Sequence, residues 1–84
     1  MILQLIMRFN NIKECIEYSR THDMIDEHID LSCNNITEIS ENWKPQCKTI
    51  SLNDNNITRI PEKWKPQCTD IFLDNNQITK IPEK

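Results

Sequence analysis

The sequence predicts a solenoid of short parallel strands, and two observations carry this prediction. Residues 29–49 align without a gap on residues 50–70, and a further unit starts at Ile71, so that each unit begins 21 residues after the one before it. Within a unit, Ile50 and Leu52 alternate with polar residues, which is the period of two expected of a strand with one buried face. A unit of this length buries its apolar face only by stacking on a neighbour, so an array is expected.

The predicted organisation is one domain of about three and a half such units. Its segments are residues 1–28 (a degenerate first unit or an N-terminal cap), residues 29–49 (the first full unit), residues 50–70 (the second full unit) and residues 71–84 (a partial unit without a C-terminal cap). In residues 1–28 the alignment places Leu5 on Ile29. Cys15 then takes the position of Ile39, and the residues from Cys15 to Ile29 are expected to form a short helix or a cap.

The spacing that recurs from unit to unit within the chain identifies the kind of repeat. From Cys47 to Pro61 the sequence reads C-x-x-I-x-L-x-x-N-x-I-x-x-I-P, and the same pattern returns from Cys68. It resembles the leucine-rich repeat, L-x-x-L-x-L-x-x-N/C-x-L, with cysteine in the first leucine position. The short unit and its Ile-Pro ending are most similar to leucine-rich repeats of bacterial effectors and of large viruses of eukaryotes. The resemblance covers residues 29–84 and implies strands on a concave face, with irregular or short helical segments on the convex side.

The concave face is the usual binding surface of this family, so the resemblance implies a protein partner there. The outward strand positions that would form this surface are Asp30, Ser32, Ser51, Asn53, Phe72 and Asp74. The surface is small and acidic to neutral, and Phe72 is a rigid apolar side chain of the type that dominates interfaces. The alternative for Phe72 is packing against the C-terminal tail of the chain.

An asparagine recurs at the end of each strand pattern, and we interpret it as structural. The column consists of Asn34, Asn55 and Asn76. An asparagine amide both donates and accepts hydrogen bonds, so it can pair backbone groups that would otherwise be buried alone where the chain leaves the strand. Since the chain has no glycine, we also expect Asn or Asp at every backbone position with a positive φ angle.

The stretch WKPQC occurs twice, ending at Cys47 and at Cys68, so these cysteines could be metal ligands, a redox pair or part of a reactive site. Structural zinc sites use closely spaced cysteine pairs, which this chain lacks, so no metal is expected. Neighbouring strands would bring Cys47 and Cys68 within reach of a disulfide. A packed core and a reducing compartment weigh against that bond, and we interpret both residues as small buried hydrophobes.

Other classes of function are disfavoured by composition. The net charge of −3 gives no basic stripe for nucleic acid. No stretch approaches the roughly 20 apolar residues of a membrane span, and the apolar start MILQLIMRF lacks the basic region and cleavage site of a signal peptide. No glycine-rich phosphate loop and no paired acids are present. We therefore expect an intracellular, cytoplasmic protein without enzyme activity, cofactor, nucleic acid or membrane partner.

The function favoured by the sequence is that of a protein–protein interaction module. The alternative is a truncated remnant or structural fragment of a longer repeat array, without binding activity of its own. An uncapped C-terminal end would also allow self-association.

Overall fold

The computed structural model describes residues 6–79, which hold one helix and a four-stranded parallel sheet. The elements in chain order are β1 (Ile6–Arg8), α1 (Ile12–Ser19), β2 (His28–Asp30), β3 (Gln46–Ser51) and β4 (Gln67–Phe72). The strand order in the sheet is the order in the sequence, so every strand pairs with its neighbour along the chain. The prediction of short parallel strands is confirmed for these residues.

The 21-residue repeat is also the register of the sheet. Ile29 pairs with Ile50, and Ile50 pairs with Ile71, so equivalent residues of successive units lie side by side. The backbone ladder continues past the strand ends, where the Leu31 and Leu52 N–H groups donate to the carbonyls of the next unit at 2.8 Å. The repeat therefore places like residues in rows that run across the sheet.

A local irregularity in β3 explains why the pattern reads C-x-x-I rather than C-x-I. The N–H groups of Lys48 and Thr49 both donate to the carbonyl of Glu27, at 2.9 and 3.3 Å. Two residues of one strand thus oppose a single residue of its neighbour, as they do in a β-bulge. The extra residue resets the alternation, so that Cys47 and Ile50 are both buried although they are three positions apart.

The core lies on one side of the sheet and follows the rows of equivalent residues. Leu31, Ile50, Leu52 and Ile57 have no exposed surface. Ile36, Ile39, Cys47, Trp43 and Trp64 extend this core away from the strands. The two tryptophan rings stack with centroids 5.8 Å apart, which couples the WKPQC stretches of adjacent units.

The first segment pairs differently from the predicted alignment. In the sheet Met7 pairs with Ile29, and the Phe9 N–H donates to the Asp30 carbonyl at 3.1 Å. The alignment that put Leu5 on Ile29 is therefore wrong by two residues, and Leu5 lies outside the described residues. The reason is burial: Phe9 is 8% exposed, and its aromatic side chain fills the core position next to Leu31.

The helix α1 begins earlier than the stretch for which a helix was expected. Asn11 caps it, because its side chain accepts a hydrogen bond from the Glu14 N–H at 2.8 Å, and the Glu14 carboxylate reaches back to the Asn10 N–H at 2.9 Å. Cys15 is the buried residue of the helix. No helix within residues 6–79 is long and apolar enough to cross a membrane.

Four residues of the described chain have positive φ angles near 57°, and one of them contradicts the expectation. Asn35, Asp54 and Asn75 are of the predicted types, but Cys33 also has a φ of 58°. Cys33 occupies the position of Asp54 and Asn75 in its unit, so the turn geometry is imposed by the repeat even where the residue type is unfavourable.

Candidate functional site on the exposed sheet face

The side of the sheet opposite the core carries a shallow groove of about 480 Å³. We call this surface the exposed sheet face. Its lining residues come from all four strands and the turns after them: Ile6, His28, Ile29, Asp30, Ser32, Thr49, Ser51, Asn53, Asp54 and Phe72. The groove exists because the outward side chains in its middle, such as Ser51, are small, whereas those at its ends are large.

Two apolar side chains stand at opposite ends of the groove. Ile6 on β1 is 69% exposed and Phe72 on β4 is 45% exposed. Both are among the large hydrophobic side chains that the described residues leave exposed. Ile6 and Phe72 thus form apolar ends of the groove, and the polar residues between them form its floor.

The floor near β1 and β2 is organised around Asp30. Its carboxylate accepts hydrogen bonds from the Ser32 N–H at 2.9 Å and the Ser32 hydroxyl at 2.6 Å, and it lies 3.3 Å from the Arg8 guanidinium. Partial burial raises the pKa of Asp30, but the Ser32 hydrogen bonds and the Arg8 charge outweigh it and hold the pKa below its usual value. Asp30 is therefore a fixed anion neutralised by Arg8.

Arg8 also ties the first segment to the first full unit. Its guanidinium donates to the Ser32 carbonyl and, at 3.2 Å, to the Asn34 side chain. One strand further along, the His28 ring nitrogen Nδ1 lies 2.6 Å from the Thr49 hydroxyl, which joins the outward rows of β2 and β3. The polar groups in this half of the groove are thus held in place by one another.

The acidic character of the surface increases toward β4. Asp54, Asp70 and Asp74 are all exposed, and Asp70 pairs with Thr49 in the row of outward residues. Asp30, in contrast, is balanced by Arg8. Phe72 therefore stands beside exposed carboxylates, whereas Ile6 stands beside a paired charge.

The structure brings together five of the six residues expected on the partner-binding surface: Asp30, Ser32, Ser51, Asn53 and Phe72 all line the groove. Asp74 does not line it. Its N–H donates to the Asn53 side chain at 2.7 Å, so it lies in the turn that follows β4.

Sequence reasoning missed His28, Thr49 and Ile6. For His28 and Thr49 a signal was available, since an outward position precedes each core isoleucine as well as following it. The predicted surface includes only the positions that follow each core isoleucine. No comparable signal placed Ile6, because the alignment of the first segment was shifted by two residues.

The asparagine column lies behind the groove, where it bridges successive units. The Asn55 carbonyl oxygen Oδ1 accepts from the N–H groups of Asn34 and Ile36 at 2.9 and 3.0 Å, and its amide donates to the carbonyls of Leu31 and Leu52. Asn76 repeats part of this pattern, since its Oδ1 accepts from the Ile57 N–H at 3.0 Å. Each asparagine thus pairs backbone groups of the preceding unit, and Asn55 is 95% buried while doing so.

The cysteines of the WKPQC stretches are neighbours across β3 and β4. Cys47 pairs with Cys68 in the register, and their sulfur atoms are 3.0 Å apart. Cys15 is buried on the helix and Cys33 is exposed. Among residues 6–79, no three His, Cys, Asp or Glu side chains are grouped so that they could hold a metal ion.

Comparison with known proteins bears on the repeat itself. Residues 27–45 match the family described as Leucine Rich Repeat. No curated protein and no solved structure matches the chain significantly. The matched residues contain β2, the turn with Asn34 and the return toward β3, and the parallel sheet with its 21-residue register is compatible with that family. The family match and the strand ladder together identify a leucine-rich repeat within this chain.

Proposed function

We propose that this chain forms a short leucine-rich-repeat solenoid of about three and a half units and binds another protein through its concave face. Leucine-rich repeats in general mediate protein–protein binding. The observation that carries the proposal is the groove on the exposed sheet face, with an apolar side chain at each end and a polar floor between them. In the solenoid, this sheet face is the concave surface.

The groove has the composition of a small protein interface. Aromatic residues contribute most to the free energy of binding when their neighbours exclude water from them, and the phenyl ring of Phe72 lines the groove. The exposed carboxylates of Asp54, Asp70 and Asp74 lie on the same side as Phe72. A partner segment that fits carries an apolar side chain for Phe72 and a lysine or arginine next to it.

Affinity capture with matched variants tests this proposal. Phe72→Ala is expected to lose the partner, with an affinity reduced by about 30-fold, since truncating a central aromatic residue typically costs about 2 kcal/mol. Asp74→Lys is expected to weaken binding by reversing a charge near Phe72. Ile25→Ala is the control, because Ile25 is 50% exposed but does not line the groove.

The outcomes are distinguishable. A partner lost by Phe72→Ala and retained by Ile25→Ala supports the concave-face proposal. A partner that binds both Phe72→Ala and Asp74→Lys as tightly as the native chain contradicts it. If the native chain captures nothing specific, the alternative of a structural fragment without independent binding is favoured.

Self-association is a second candidate, and a gradient of burial favours it. Ile50, Leu52 and Ile57 of the second full unit have no exposed surface, whereas Ile71, Leu73 and Ile78 of the partial unit are half-buried. A second copy that stacks on this end would bury these residues further. Sedimentation should then show dimers or larger species that grow with concentration and are lost in Leu73→Asp. A monomer over the whole concentration range would contradict self-association.

A further inference from the structure

The two cysteines of the WKPQC stretches are placed to react with each other. Their positions are register partners on adjacent parallel strands, and adjacent strands lie about 4.8 Å apart, within the Cα separation that a disulfide tolerates. The sulfur atoms are 3.0 Å apart, so a bond of about 2.05 Å requires a displacement of about 1 Å. Side-chain rotation can supply this displacement without any change in strand pairing.

The surroundings of the two thiols give them different roles. The Cys47 side chain is buried, whereas Cys68 in the next unit is half-buried and thus within reach of a small oxidant. The hydrogen bond to Cys68 and then burial raise the pKa of Cys47, while the hydrogen bond from Cys47 lowers the pKa of Cys68 against the effect of burial. Cys68 is therefore the thiol that ionises and attacks, and Cys47 holds the proton.

We propose that Cys47 and Cys68 form a reversible redox pair that peroxide closes into a disulfide across β3 and β4. In the first step the Cys68 thiolate attacks hydrogen peroxide, which gives a sulfenic acid at Cys68 and, after protonation of the leaving hydroxide, one water. In the second step the Cys47 thiol attacks that sulfur, an S–S bond forms, and a second water leaves. The balance is two thiols and one peroxide to one disulfide and two waters.

The other cysteines provide internal comparisons. Cys33 is exposed, but the described residues place no thiol beside it, so it can be oxidised without forming an intramolecular bond. Cys15 is buried on the helix, and burial followed by the charge of Cys68 raises its pKa to about 11. A random oxidation of exposed thiols would select Cys33 first. The proposed pair instead selects two less exposed thiols because of their proximity.

The consequence of the bond would be a covalent link between the first and the second full unit, across β3 and β4. The closed loop contains about 20 residues, and a disulfide across a loop of this length is expected to raise the melting temperature of a small domain by roughly 15 °C through the reduced entropy of the unfolded chain. The link would hold β4, which carries Phe72, in place. This inference does not depend on the proposed binding function.

The test is differential alkylation of the full chain. The reduced, folded protein is treated with hydrogen peroxide, free thiols are alkylated, and the disulfide is then reduced and labelled with a second reagent before peptide mapping. We expect the second label on Cys47 and Cys68 together, an intact mass lower by about 2 Da, and a melting temperature higher by roughly 15 °C that a dithiol reductant reverses. Oxidation in guanidinium should scatter the label over several cysteine pairs.

Matched variants separate the pair from general oxidation. Cys68→Ser and Cys47→Ser should each lose the 2 Da change and the rise in melting temperature, whereas Cys33→Ser should keep both. The native-chain experiment needs no variant to fold, so the proposal can fail even if a serine variant is unstable. It is wrong if Cys47 and Cys68 remain open to the first label after oxidation, or if the bond that forms joins other cysteines.

Discussion

Removal of the Asn55 side chain is the sharpest test of how the units are held together. Asn55 is the centre of the asparagine column and bridges the two full units through both of its amide atoms. The substitution Asn55→Ala removes these hydrogen bonds and leaves a small space behind. Asn76→Ala and Asn34→Ala are the matched comparisons, since they occupy the same position in the neighbouring units.

The expected magnitude follows from which backbone groups lose their partners. The Leu31 and Leu52 carbonyls each keep a second hydrogen bond, from Asn34 and Asn76 respectively. The N–H groups of Asn34 and Ile36, however, lose their acceptor. An unpaired buried N–H costs about 1–3 kcal/mol, and because the Asn34 N–H is only partly buried we expect a total loss of about 3 kcal/mol.

The same count predicts an order among the three variants. Asn76 accepts from one backbone N–H, that of Ile57, so Asn76→Ala should cost about 1–2 kcal/mol. The Asn34 side chain accepts from Arg8 and donates to carbonyls, and within residues 6–79 no backbone N–H donates to it. Asn34→Ala should therefore cost about 1 kcal/mol or less.

Urea denaturation followed by tryptophan fluorescence measures these differences, and thermal melts provide a second readout. A loss of about 3 kcal/mol corresponds to a fall of roughly 15 °C in Tm for a domain of this size. The reasoning would be refuted if Asn34→Ala destabilised the protein as much as Asn55→Ala. Equal effects would mean that the asparagines act through local turns and not through the N–H groups of the preceding unit.

Four further predictions follow from single residues. In urea titrations, Ile50→Ala should lower the free energy of unfolding by about 4 kcal/mol and Ile71→Ala by about 2 kcal/mol, because Ile50 is fully buried and Ile71 is half-buried. Equal losses would contradict the gradient of burial. Cys33→Asn should raise the free energy of unfolding by about 0.5–1 kcal/mol in thermal melts under reducing conditions, since asparagine tolerates the positive φ angle better than cysteine. A lower free energy of unfolding would show that the Cys33 thiol has a packing role. Because the pKa of Asp30 is lowered in the folded protein, its contribution to stability is complete above the unfolded pKa of about 3.9 and is lost as pH falls through the lower folded pKa. Asp30→Asn should therefore destabilise the protein at pH 6 more than near pH 2. A pH-independent difference would refute the coupling to Ser32 and Arg8. At pH 8, Cys15 should be alkylated at least about 100-fold more slowly than Cys33 in the folded chain, because its pKa is raised to about 11, and the two rates should converge in urea.

The arrangement of the two full units could be predicted from the sequence because the same pattern recurs every 21 residues. The spacing of Ile29, Ile50 and Ile71 is the register of the sheet, since stacked units of equal length must place equivalent residues opposite one another. The outward residues of the groove follow from the alternation of the strands, which has a period of two and leaves little freedom once the buried row is known. For the same reason Asn55 could be placed at the strand end before any hydrogen bond was known.

Features that have no second copy in the chain could be established only from the tertiary structure. The pairing of β1 depended on the packing of Phe9 beside Leu31, and a single degenerate copy has no second copy against which its alignment can be checked. The groove needed Ile6 and Phe72 at its two ends, and these residues are brought together by all four strands. The 3.0 Å approach of Cys47 and Cys68 depended on side-chain positions within the rows. A repeat specifies which backbone positions are neighbours, whereas the distance between two side chains depends on the volume and direction of everything packed around them.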